Sequence, residues 1–316
     1  NQVFSDLKLN RCYAKYFCFK QKGVLMSKFF LGLGFLMAIL LAKMSFAIPV
    51  IHIIAAENFY GSVAKEIGGS YVQVTSILNQ PDQDPHLFNI TPSIAKRLER
   101  ADLVIYNGLG YDPWIQNLLN VGASTRTLFC VAKLLHKEAG DNPHIWYDPA
   151  TMPVVAGAVR DFLIKKDPNH QKEYQIRYQH FLQHHQHLMQ RITHIKTYYN
   201  NTDVIATEPV FGYMAKALGF RMHGIAFQTS MMNGVDPGPK QVQAFQSQLQ
   251  HHRVRILFYN QQVSSPLVLY LLQQAKQFAI PVVGVMETQA LHETYHEWMQ
   301  YQLKRVEQVL DERHRV

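Results

Sequence analysis

Residues 169–199 read NHQKEYQIRYQHFLQHHQHLMQRITHIKTYY, without a single Gly or Pro. Apolar side chains (Tyr174, Tyr178, Phe181, Leu188, Ile192, Ile195) recur there at helical spacing among polar ones. At 1.5 Å per residue such a helix is about 45 Å long, longer than a domain of 100–150 residues is wide. A helix this long and this polar is expected to run through solvent as a strut between two lobes.

On both sides of this segment strands alternate with helices. Before it, strands are expected at 50–56, 71–78, 103–107 and 125–131, and helices at 59–67, 91–100, 113–120 and from about 150 to Lys166. After it, strands are expected at 204–207, 221–227, 255–259 and 282–286, with helices near 211–218, 240–251, 266–278 and 295–313. The first strand is rich in β-branched and apolar residues, as a strand buried on both faces would be. The expected fold is therefore α/β, with two parallel-sheet lobes, 48–167 and 201–316, joined by one long rigid helix, 168–200. The binding place is expected in the cleft between the lobes.

The chain has 316 residues and a formal net charge of +8, but the charge is unevenly placed. Lys8, Arg11, Lys15, Lys20, Lys22, Lys28 and Lys43 face one acid, Asp6, before residue 48, and the remainder carries only +2. A nucleic-acid partner gains no support from that distribution. Met26-Ser27-Lys28, the apolar run 29–42 and Ser45-Phe46-Ala47 have the three parts of a cleavable export signal, 26–47. The run is too short for a comfortable membrane anchor. Residues 1–25 precede Met26, lack a globular pattern and are expected to be upstream sequence foreign to the mature fold. No Cys follows the expected cut, so lipid attachment there is not indicated, and a periplasmic, monomeric receptor is expected.

Cys130 is the one cysteine after residue 47, so an internal disulfide is excluded and a metal site must use His and carboxylates. In open α/β sheets ligands bind beyond the carboxyl ends of strands. Four metal-competent residues fall there: His86 in Asp84-Pro85-His86, His144 in Asn142-Pro143-His144, Glu208 in Thr207-Glu208-Pro209 and Glu287 in Met286-Glu287-Thr288. Two imidazoles and two carboxylates suit Zn²⁺ or Mn²⁺. Each His follows a Pro that restricts its loop, and Asp84 and Asn142 are placed to orient the imidazoles.

With these motifs, and with Ala101-Asp102-Leu103-Val104, Asn107-Gly108, Trp114, Phe211-Gly212-Tyr213, residues 257–261, Tyr295 and Trp298-Met299, the chain resembles the cluster A-I solute-binding proteins of ABC importers. That zinc/manganese receptor family is matched from about Ile48 to the C-terminus. The resemblance implies a helix-linked pair of lobes, an ABC importer permease as partner, and one transported ion held by His86, His144, Glu208 and Glu287. Zinc-selective members often carry His where this chain has Glu208, and the last ligand is more usually Asp than Glu287. Those departures leave the choice between zinc and manganese open, with zinc favoured on affinity. A His-rich loop is missing, since 131–143 contains only His136.

Other patterns compete for a role. His292-Glu293-Thr294-Tyr295-His296 matches the zinc-protease pattern, against the plainer reading of an exposed helix start. His180, His184 and His187 share a helical face, as a metal-loading patch or as a solvated surface. Glu57 follows the first strand, either near the cleft or as an acid at a helix N-terminus. A metallohydrolase using the cleft site is the mechanistic rival, and it would need an open coordination position that four protein ligands do not leave. A surface adhesin is a third class, which would need a large exposed apolar patch. N-terminal sequencing of the mature protein is expected to begin at Ile48; a chain retaining residues 29–42 would be an anchored protein instead.

Overall fold

The computed structural model describes residues 50–80, 88, 91–119 and 126–312. His86 lies outside them, as do the expected export signal, 26–47, and the expected upstream segment, 1–25. Before the long helix the chain forms β1 (Ile51–Glu57), α1 (Asn58–Gly68), β2 (Val72–Leu78), α2 (Pro92–Glu99), β3 (Leu103–Tyr106), α3 (Pro113–Leu119), β4 (Thr127–Cys130), α4 (Val131–Leu134) and α5 (Thr151–Lys166). The long helix is α6 (Gln171–Tyr199). After it come β5 (Asp203–Ala206), α7 (Gly212–Ala217), β6 (Arg221–His223), α8 (Ile225–Met232), α9 (Pro239–Gln250), β7 (Ile256–Asn260), α10 (Pro266–Gln277), β8 (Val282–Val285) and α11 (Tyr295–Glu312).

Each lobe has one four-stranded parallel sheet, ordered β2-β1-β3-β4 in the first and β6-β5-β7-β8 in the second. Sequential strands therefore step to opposite sides of β1 and of β5, leaving a crevice at their carboxyl ends. β1 is covered on both faces, Ile53 and Ala55 packing into one apolar cluster and Ile54 and Ala56 into another, so all four are buried rather than alternating. Helix starts follow local chemistry. Ser265 Oγ accepts the Val268 amide at 3.2 Å ahead of Pro266 in α10. Thr294 and Glu297 close a reciprocal box at the start of α11.

Two expectations change. The strand expected at 221–227 stops at His223, because Gly224 turns left-handed (φ 74°) and Ile225–Met232 continue as a helix. The long helix is also not a strut in solvent. Tyr174, Phe181, His185, Leu188, Ile192, Ile195 and Tyr199 form one buried stripe along it, packed on α1, α5 and α11. Apart from His185, its polar residues lie outside that stripe, so its excess of Gln, His and Lys reflects exposure on one side.

That stripe belongs to a single apolar core shared by both lobes. It joins Ile53 and Leu103 of the first sheet to Val204 and Phe258 of the second. Phe59 stacks on Trp146 with ring centroids 4.6 Å apart, Tyr147 meets Phe211 at 5.4 Å and Trp298 at 5.7 Å, and Phe211 stacks on Phe258 at 4.6 Å. Such packing stiffens the approach of the two sheets rather than leaving a free hinge. Among the described residues no helix is long and apolar enough to cross a membrane. Phe181→Ala is expected to lower unfolding free energy by about 3–5 kcal/mol in urea denaturation, and Ile176→Ala on the exposed face by under about 0.5 kcal/mol.

Candidate metal centre

The crevice gathers side chains from both sheets. His144 follows α4 in a loop that continues into a short 3-10 turn at Ile145–Tyr147, and the residue is fully buried. Glu208 lies two residues beyond the end of β5 and is 6% exposed; Glu287 lies two residues beyond β8 and is 1% exposed. The His144 Nε2 lies 3.8 Å from Glu287 Oε2. Its Nδ1–H donates to Asn142 Oδ1 at 2.6 Å, which leaves the Nε2 lone pair on the crevice side. The Asn142 orientation is itself held, because its Nδ2 donates to the Pro209 carbonyl at 2.7 Å and its carbonyl accepts from Tyr213 Oη at 3.1 Å. The orienting role expected of Asn142 is thus present in the geometry.

The two carboxylates are tied together by Asn260 at the end of β7. Its Nδ2 donates to Glu208 Oε2 at 2.8 Å and also to Glu287 Oε1. Tyr111, from the first lobe, donates its hydroxyl to Glu287 Oε2 at 2.9 Å. Asn260 was legible by the strand-end rule, had amides been weighed as well as ligand types. Tyr111 sits in a Gly-containing loop with no comparable signal. A cleft of about 730 Å³ opens beside these groups, lined by Tyr111, Pro143 and Glu208 with Met231 and Met232 of α8.

Beneath the His144 loop is a buried polar base. Tyr60 donates to Asn107 Oδ1 at 2.6 Å, and Asn107 Nδ2 donates to the carbonyl of Pro143 at 2.9 Å, one residue before His144. Asp112 accepts the Asn107 and Gly108 amides at 2.5 and 2.9 Å. Glu57 is fully buried here beside Asp112 and makes no side-chain bond to the first amides of α1, so it neither caps that helix nor lines open solvent. Burial first, and the Asp112 charge second, push its pKa well above 4.5. Burial likewise raises Asp112 to about 6.

Other expectations resolve differently. His292 lies outside α11 in a left-handed conformation (φ 65°), and the capped turn at Thr294 separates it from His296. The two imidazoles share no helical face, so the pattern is not a protease motif. Nor is it an exposed helix start: Tyr295 and His296 are 0% and 5% exposed because α11 packs on α6. His180, His184 and His187 are exposed on α6.

The family model described as zinc-uptake complex component A, periplasmic, matches residues 53–309. The chain belongs to this family. A Thermotoga maritima relative is 34% identical over 134 residues, 39% of this chain and 49% of that protein, so the match spans about half of that relative's length. The manganese-binding lipoprotein MntA of Bacillus subtilis is 22% identical over 257 residues, 77% of this chain and 82% of that one. The periplasmic zinc-binding protein TroA of Treponema pallidum has the same fold, with a TM-score of 0.69 at 18% identity over 80% of this chain and 96% of that one. The two-lobed, helix-linked fold is the one that the family resemblance implies.

The raised carboxyls give a pH test. A folded-state pKa above the unfolded one means that folding favours the protonated acid. That contribution is complete below 4.5 for Glu57 and is lost as pH rises through its raised value. Glu57→Gln has no such proton to lose. Its urea midpoint is expected to fall less than that of the wild type as pH rises from 4.5 to 7; parallel curves would contradict the assignment.

Proposed function

We propose that this chain is an extracytoplasmic solute-binding protein that captures one divalent transition metal and hands it to an ABC-type membrane permease. The observation that carries this reading is the meeting of a fully buried imidazole from the first lobe with a buried carboxylate from the second, 3.8 Å apart. One ion at about 2.0–2.2 Å from each atom spans such a gap with small side-chain movement. Two carboxylates kept this close in a buried crevice repel one another, and a dication relieves that repulsion. In this reading His144, Glu208 and Glu287 are ligands, and His86, which follows β2 in the sequence, is the fourth.

Asn142 fixes the tautomer of His144, and Asn260 and Tyr111 aim the carboxylates, so the donors are set before the ion arrives. Four protein ligands close the shell and leave no site for an activated water, which favours a carrier over a hydrolase. Membership of a family of substrate-binding proteins supports the same choice. Delivery from outside the cytoplasm fits the export signal read at 26–47, with no lipid-bearing cysteine after the cut, and a monomer suffices because both ligand sets come from one chain.

Carboxylate in place of a third imidazole moves the site towards Mn²⁺, while intrinsic affinity still favours Zn²⁺. Both ions are therefore expected to bind, with Zn²⁺ winning direct competition. In titration calorimetry His144→Ala is expected to weaken binding at least tenfold, and Glu208→His to widen the zinc advantage. His292→Ala is expected to change nothing. Unchanged affinity in His144→Ala would remove the site, and an unchanged metal ratio in Glu208→His would remove Glu208 from it.

A further inference from the structure

Away from the crevice, three elements that are distant in sequence bring ligating side chains together. Glu66 lies near the end of α1, His184 midway along α6 and His296 in the first turn of α11, and their ligating atoms lie within 4.8 Å of one another. No other trio of ligating side chains among the described residues is gathered this closely. Glu66 lies eight residues along α1 from Asn58, which contacts the crevice-side segment at Gln289, a rise of about 12 Å.

His296 is the unusual member. It is 5% exposed, and neither ring nitrogen has a hydrogen-bond partner. A buried polar group left unsatisfied destabilises the fold, so an imidazole with both nitrogens unmatched calls for a reason. Phe181, His184 and His185 surround its ring, with centroids 4.6, 5.9 and 5.6 Å away. Glu66 Oε2 is also buried without a partner, and Glu66 Oε1 lies 3.3 Å from His184 Nδ1. His184 is the exposed member of the trio, while Glu66 and His296 lie deeper.

We propose that Glu66, His184 and His296 form a second, structural site for a divalent transition ion such as Zn²⁺, with water completing the shell. Two imidazoles and a carboxylate are a standard first shell for zinc, with ligand–ligand separations of about 3.3–3.6 Å reached by a small contraction of this cluster. Because the ligands come from three helices, the ion staples the first lobe, the long helix and the terminal helix to one another. It thereby stabilises the folded protein without entering the crevice.

Zinc binding to the intact chain, by equilibrium dialysis, tests this. Two ions per chain are expected in the wild type, and one in His184→Ala, whose exposed side chain leaves the fold unchanged. His296→Gln is expected to lose the same ion, and His144→Ala to keep it. One ion in the wild type that disappears in His144→Ala, or a second ion that survives both His184→Ala and His296→Gln, would overturn the proposal. One ion that disappears in His184→Ala but not in His144→Ala would instead support it and remove the crevice site.

Discussion

The aromatic layer between the lobes is the contact on which the rest of the molecule depends. Phe59, Trp146, Tyr147, Phe211 and Trp298 interleave residues from the first lobe, the second lobe and the terminal helix in one buried cluster. Two parallel sheets could each fold around their own helices. It is this layer, together with the buried stripe of α6, that sets the carboxyl ends of one sheet against those of the other. Hydrogen bonds across the same boundary, from Tyr147 to the Met286 carbonyl at 2.8 Å and from Tyr295 to the Trp146 carbonyl at 2.9 Å, fix the register. The crevice is therefore preorganised by packing, and its polar groups inherit their positions from apolar ones.

Within that frame the crevice concentrates acceptors. Glu208 and Glu287 share one amide, Asn260, and Glu287 faces the unprotonated nitrogen of His144. Donors from Asn260 and Tyr111 offset part of the cost of burying the carboxylates, but hydrogen bonds do not neutralise their charge. A dication does, so under the proposed function metal binding and the stability of the fold are linked. The buried Tyr60–Asn107–Pro143 chain extends this dependence into the first lobe, since it positions the loop that presents His144.

Much of this was legible from residues alone, for identifiable reasons. Parallel strands buried on both faces leave apolar runs, and a helix without Gly or Pro announces its length. The strand-end rule found Glu208, Glu287 and His144 because it follows from topology and needs no distances. What stayed hidden depended on contacts between distant segments. The long helix looked solvent-bound because six apolar residues at helical spacing do not say what covers them. The β6 boundary was misplaced because the apolar Ile225-Ala226-Phe227 reads as more strand, while the left-handed Gly224 ends it and starts a helix. His296 looked like an exposed helix start because the helices that bury it lie far earlier in the chain. His86 lies outside the described residues, and its place in the site rests on the Asp84-Pro85-His86 motif.

The central claim is that one metal ion is held by side chains of both lobes. Anomalous diffraction from crystals grown with Zn²⁺ tests it directly. A peak between His144 Nε2 and the Glu287 carboxylate, with Glu208 in its shell, is the expected result. Zinc density found only on surface histidines, with the crevice occupied by water alone, would contradict it.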